Sequence, residues 1–275
     1  MKALYLDGSG QLEVRLDGPA LRVRRPGRAD GLYPIPRVSR IIVLGRVRWQ
    51  PDALAACLRE HKPVSILDNG GRLVRLLFHT PPAQYGLAAR MGELLRVPKF
   101  AARYERWVRG AEWREMASAI QHFNAGAGGP APDQAWQFVC RRQYQRWGIR
   151  VGAFHRFLRG LAAAQIASAL LLAGMRRNSR VWDLEEYRVL CDMIRLERWR
   201  QVQLLEDVLC RLEPRPLRRE LTAAFESTAE AREQRIAEWR RCALLEMTGG
   251  HVDRRRRLLD FAGRAPASTM PAAAA

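Results

Sequence analysis

The stretch IPRVSRIIVLGRVRWQPDALAACLREHKPVSILDNGGR, residues 35–72, decides the fold of the N-terminal part. Arg40-Ile41-Ile42-Val43-Leu44 is an apolar, β-branched run ended by Gly45, which reads as a buried strand. From Pro51 to His61, Leu54, Cys57 and Leu58 fall at helical spacing. Pro63-Val64-Ser65-Ile66-Leu67 returns to strand, and Asp68-Asn69-Gly70-Gly71 has the residues of a turn. Leu73-Val74-Arg75-Leu76-Leu77 closes the set.

Toward the N-terminus the same grammar holds. Ala3-Leu4-Tyr5-Leu6 precedes the turn Asp7-Gly8-Ser9-Gly10. Leu12 to Leu16 and Leu21 to Arg24 alternate apolar and polar with period two, on either side of Asp17-Gly18. Toward the C-terminus the character changes at Thr80-Pro81-Pro82-Ala83. From roughly Tyr85 to Leu259 the periodicity is helical, interrupted by the loop sequence NAGAGGPAP at 124–132. Phe154 to Leu172 is apolar and Ala-rich, as a buried central helix would be. The expected class is α+β: a small β-rich domain (1–80), a linker (81–90), a larger all-α domain (91–262) and a disordered tail (263–275).

The formal net charge is +19 over 275 residues, with 48% hydrophobic residues, so a core and a strongly positive surface coexist. Arg supplies nearly all of it, since the only lysines are Lys2, Lys62 and Lys99. The excess is +8 up to residue 90 and +11 after it, so it is not confined to a tail. Such a surface selects polyanions. Asp7 sits where the apolar core of a signal peptide would run, so no leader is expected. Gly160 to Gly174, the most apolar stretch, is too short to span a bilayer and contains Gln165. The five cysteines (57, 140, 191, 210 and 242) form no CxxC pair. They read as reduced, mostly buried thiols of a cytoplasmic protein with no membrane association.

Two arginine clusters suit phosphate contact. The run CRRQYQRWGIR, residues 140–150, interleaves Arg141, Arg142 and Arg146 with aromatics, and Arg176, Arg177 and Arg180 precede an acidic segment. A further run spans Arg254 to Arg257 and reads as non-specific charge.

Several stretches resemble the CRISPR spacer-integration family of DNA endonuclease/integrases. LYLDGSGQLEVRLDGPALRVRR (4–25) looks like that family's first hairpins, and residues 35–72 look like its next unit. Val151 to Gly174 has the spacing of its central helix. Trp182-Asp183-Leu184-Glu185-Glu186-Tyr187-Arg188 resembles its acidic motif, one residue shorter. The resemblance implies insertion of spacers into a CRISPR array with Mg²⁺ or Mn²⁺, double-stranded DNA as substrate, a homodimer formed through the β domains, and a small CRISPR adaptation partner protein.

In that family a Glu, a His and an Asp hold the metal. Asp183 takes the place of the Asp, and Glu186, one turn on, offers a second carboxylate. The early Glu is Glu115, eight residues before Phe123, or alternatively Glu112. Both also suit a helix surface on which acids pair with nearby arginines. The family's His has no counterpart, because MRRNSRVW (175–182) lacks one and no histidine occurs between His155 and His251. His122 and His155 read as structural. Loss of the His leaves a second reading open: a degenerate, non-catalytic member that binds DNA or assembles with an integration complex.

Overall fold

The computed structural model describes residues 2–8, 10–79, 87–123, 131–148, 151–174, 184–211 and 218–249, with only the backbone described at 87–89 and 184–186. The expected boundary at Thr80–Ala83, most of the 124–132 loop, the Arg254–Arg257 run and the 263–275 tail lie outside these residues.

The fold is α+β. The strands are β1 (Lys2–Gly8), β2 (Glu13–Asp17), β3 (Ala20–Arg24), β4 (Gly31–Pro34), β5 (Val38–Gly45), β6 (Arg48–Trp49), β7 (Val64–Leu67) and β8 (Leu73–Leu77), with helix α1 (Pro51–Arg59) between β6 and β7. The helical part comprises α2 (Leu87–Leu95), α3 (Pro98–His122), α4 (Pro132–Trp147), α5 (Val151–Leu172), α6 (Leu184–Arg211), α7 (Arg218–Ser227) and α8 (Ala229–Thr248).

Two four-stranded sheets form, ordered β1-β5-β7-β8 and β4-β3-β2-β6. The opening residues do not form consecutive hairpins. Strands β2 and β3 do pair antiparallel, but β1 pairs with β5 in parallel, Tyr5 opposite Ile42. The physical reason is that β5 is apolar on both faces, which suits an interior parallel strand, and β1 covers its edge with Leu4 and Leu6 on one face and Tyr5 on the other.

Period two then builds two cores from one sheet. Ile41 and Val43 face Leu12, Val14, Leu21 and Cys57 of the outer layer. Ile42, Leu44, Leu67 and Leu76 face the other way and join Met91, Phe157, Leu158 and Leu161 of the helices. The first sheet is therefore a shared wall between the outer sheet and the helical part.

Two contacts fix that wall. The β7–β8 turn is closed by Asp68, whose side chain accepts from Arg72 N at 2.8 Å. Its Gly71 carbonyl lies against the α5 backbone at Gly160. Nearby, Glu226 of α7 accepts from Arg40 of β5 at 2.6 and 2.9 Å and from the Tyr5 hydroxyl of β1. Burial, then the Glu226 carboxylate, pushes the Tyr5 phenol well above its ordinary range.

Helix α5 is the buried central helix that its Ala-rich sequence foretold. Deep beside it, Arg232 of α8 is 1% exposed and bonds Glu197 at 2.9 Å and Gln165 at 2.5 Å. The cysteines depart from expectation: none is disulfide-bonded, but only Cys57 is buried, while Cys191 and Cys210 are exposed. Both sit on α6 at positions that face away from the core. Among the described residues, no helix is long and apolar enough to cross a membrane.

Candidate functional site

Helix α3 starts at Pro98 in its first turn, where the missing N–H costs nothing. Glu105, Glu112 and Glu115 lie seven and three residues apart, so they share a face. Opposite them, α6 carries Arg188, Arg195, Arg198 and Arg200.

These rows meet as a ladder of ion pairs. Arg188 reaches Glu105 at 2.7 Å. Arg195 donates to both Glu112 oxygens, at 2.7 Å to Oε1 and 2.6 Å to Oε2, and Arg198 adds a third bond at 2.8 Å. Arg200 Nε donates to Glu115 Oε2 at 2.8 Å. The series continues with Gln203 to the Ser118 carbonyl at 3.1 Å and His122 to Asp207 at 3.3 Å. The bonds from Arg188 through Gln203 link residues 83 to 86 positions apart, so α3 and α6 run in the same direction in a fixed register.

That register places the candidate ligands. Glu112 is 1% exposed and Glu115 8% exposed, so neither points into bulk water. Glu115 is level with Arg200, whereas Glu186 lies fourteen residues earlier on α6, about 21 Å along the axis at 1.5 Å per residue. The structure does not bring Glu115 and Glu186 together. Asp183, Arg176, Arg177 and Arg180 lie outside the described residues, and of Glu186 only the backbone is described.

A hard divalent cation needs carboxylate oxygens free to coordinate it. Both Glu112 oxygens are bound by guanidiniums, whose charge also repels a cation. Glu115 has one oxygen engaged in the same way. His122 faces Asp207, and His155 Nε2 lies 2.8 Å from Gln143 Oε1. Among the described residues no three His, Cys, Asp or Glu side chains converge as metal ligands. The described carboxylates therefore do not fit a metal, and their chemistry is that of a buried, neutralised seam. Next to it, burial raises the Asp192 carboxyl while Arg188 pulls it back down.

The α4 arginines divide. Arg142 donates to the Phe123 carbonyl at 2.8 Å, and Arg146 pairs with Glu206 at 2.9 Å while stacking on Trp147 at 4.7 Å. Arg141 is exposed, with no described carboxylate at ion-pair distance. Phe138 (50%) and Tyr144 (51%) are exposed beside it. Arg141, Phe138 and Tyr144 together make a basic and aromatic face suited to a nucleic-acid backbone. Sequence reasoning missed Arg195, Arg198 and Arg200; the available signal was that Arg188 and Arg195 repeat the seven-residue spacing of Glu105 and Glu112.

Residues 4–127 match the family model described as CRISPR associated protein Cas1. The fold is similar to that of a Cas1 protein from Thermotoga maritima, with a TM-score of 0.67 at 10% identity over 91% of this chain and 98% of that one. It is also similar to a casposase bound to integration product, at 0.64 and 12% identity over 96% of this chain and all of that one. A chain of a Cas6-RT-Cas1–Cas2 complex gives 0.51 at 12% identity, covering 89% of this chain and 35% of that one. No curated protein matches the sequence.

Proposed function

We propose that the chain is a member of the CRISPR-associated Cas1 family, whose model residues 4–127 match, and that it serves CRISPR adaptation as a DNA-binding and assembly subunit that does not cut DNA by itself. One observation carries the non-catalytic part: Glu115 and Glu112, the two alternatives for the family's early metal ligand, are held by Arg200 and by Arg195 and Arg198. Guanidiniums there supply the charge that a metal would otherwise supply. Binding needs only positive charge and donors facing phosphates, and the +19 excess with the Arg141 face of α4 provides both.

The test is direct. Purified protein is incubated with labelled double-stranded DNA and Mn²⁺ or Mg²⁺. The expected result is a retarded complex without nicks. Nicking that disappears in Asp183→Ala would instead establish a metal-dependent endonuclease/integrase. The resemblance to the family favours that second reading, with Mg²⁺ or Mn²⁺ as its metal and Asp183 as the ligand tested; Glu115 and Glu186, separated by the α3–α6 register, cannot both serve it. Absence of any complex with duplex DNA would end both readings.

A homodimer belongs to the same proposal, as does a small adaptation partner protein of the kind the similar chain accompanies in its complex with Cas2. Light scattering at micromolar concentration is expected to return twice the 31.4 kDa chain mass.

A further inference from the structure

The outer sheet carries a second basic feature, remote in the fold from α4. Strand β3 ends at Arg24, and a short loop leads to β4, turning at Gly27 (φ 72°) with Arg28 N bonded to the Arg25 carbonyl at 3.1 Å. Strand β6 lies beside β2 in parallel, and Arg48 N is tied to the Leu12 carbonyl at 2.9 Å. Together these segments enclose an open cleft of about 440 Å³, lined by Arg24, Arg25, Arg28 and Arg48 with Glu13 and Asp30.

The two acids are spoken for. Glu13 pairs with Arg15, outside the cleft, at 2.9 Å, and Asp30 lies 3.5 Å from Arg24. Arg25 donates to the Asp7 carbonyl at 3.5 Å. Arg28 and Arg48 are exposed, and neither has a carboxylate partner among the described residues. Four arginines thus face two acids in one concavity, which leaves it net positive. Their mutual repulsion is unfavourable until an anion enters, and the planar fork of Arg fits phosphate oxygens.

We propose that this cleft binds backbone phosphates of double-stranded DNA, giving the outer sheet a DNA contact separate from the helical face. The proposal rests on the DNA-binding reading above. One buried wall, the shared first sheet, separates the cleft from the helices, so DNA held there approaches the side of the molecule opposite α3 and α6. Recognition is of charge and phosphate shape, without base reading.

The experiment measures duplex affinity by fluorescence anisotropy across a salt series. It compares the full chain, the Arg28→Ala/Arg48→Ala double variant, and Arg59→Ala, an exposed arginine at the end of α1 outside the cleft. The double variant is expected to flatten the slope of log K against log salt by about 1.8, since each lost phosphate contact removes about 0.9. At 0.1 M salt this corresponds to roughly five- to tenfold weaker binding per arginine, with Arg59→Ala near wild type. Unchanged slope and affinity in the double variant, while the wild type binds, would overturn the cleft and leave the DNA-binding reading intact. So would an equal loss in Arg59→Ala, which would show diffuse charge only. Calorimetry with inorganic pyrophosphate separates a soluble anion: binding lost in the double variant while duplex affinity is unaltered overturns the DNA assignment. A wild type that does not bind duplex fails the underlying reading and this one with it. Both arginines are exposed, and matching thermal melts establish that the variants are folded.

Discussion

Gly160 of α5 lies directly under the carbonyl oxygen of Gly71, so close that a Cβ on Gly160 would meet that oxygen at 1.6 Å. The oxygen belongs to backbone in a closed turn and cannot swing aside as a flexible side chain would. Gly71 has φ 87°, and a Cβ there would meet Phe157 Cα at 2.6 Å. The sheet and the helical part thus touch backbone to backbone at this point.

Gly160→Ala is therefore expected to destabilise by about 3 kcal/mol or more, an overpacked contact with no slack. Gly152→Ala, on the same helix, meets only the end of the Arg156 side chain at 3.7 Å. There the gain in helix propensity should stabilise by up to about 1 kcal/mol. Urea unfolding of both variants checks the contrast, and equal midpoints would show that the β7–β8 turn does not rest on α5.

The same contact shows what the sequence could and could not disclose. The Ile41–Leu44 run read as a buried strand, and residues 151–172 as a buried helix, because both signals are local periodicity. That Gly71 and Gly160 are glycines for one shared reason was not legible, since nothing local relates positions so far apart. The parallel pairing of β1 with β5 was hidden in the same way: Leu4-Tyr5-Leu6 looks alike whether its partner is the next strand or a later one. For the candidate site, the family resemblance picked out Glu115, with Glu112 as the alternative. It could not separate a ligand from an ion pair, because the arginines that decide it lie more than eighty residues downstream.

Glu112 gives the sharper test of that seam. Its carboxylate is buried and bonded by two guanidiniums, of which Arg198 is 18% exposed and Arg195 41%. Glu112→Ala strands Arg198 beside Trp136 and Trp199, whose rings lie 5.0 and 5.1 Å away, with only the exposed Asp133 carboxylate at 3.3 Å left to it. A loss of about 2–3 kcal/mol is expected, below the value for a fully buried pair because Arg195 can turn to water. Adding Arg198→Met should recover part of it, since the stranded charge is then gone. Chemical denaturation of the single and double variants measures this. If Glu112→Ala raised stability instead, the carboxylate would be an uncompensated acid of the kind found at metal sites, and the seam reading would fail.

His155 sets an acid limit on the same region. Its Nε2 faces the Gln143 carbonyl oxygen at 2.8 Å, while the Gln143 amide nitrogen donates to the Val202 carbonyl at 3.2 Å and to Glu206 at 3.0 Å. With both amide hydrogens committed, the Gln143 oxygen accepts and His155 is a neutral Nε2–H tautomer. Burial lowers the His155 pKa from 6.5 to about 4. Above pH 6.5 the ring is neutral whether the chain is folded or not, and it adds no pH dependence. Between pH 6.5 and 4 the unfolded chain takes up a proton that the folded one refuses, so stability falls as pH falls, and the effect levels off below pH 4. At 1.36 kcal/mol per pH unit the full loss is about 3 kcal/mol, and about 2 kcal/mol of it is reached by pH 5. Urea unfolding at pH 7.5 and pH 5 should show His155→Gln losing about 2 kcal/mol less than the wild type over that interval. Parallel losses in the two proteins would mean that His155 protonates freely in the folded state and that the Gln143 bond does not hold it neutral.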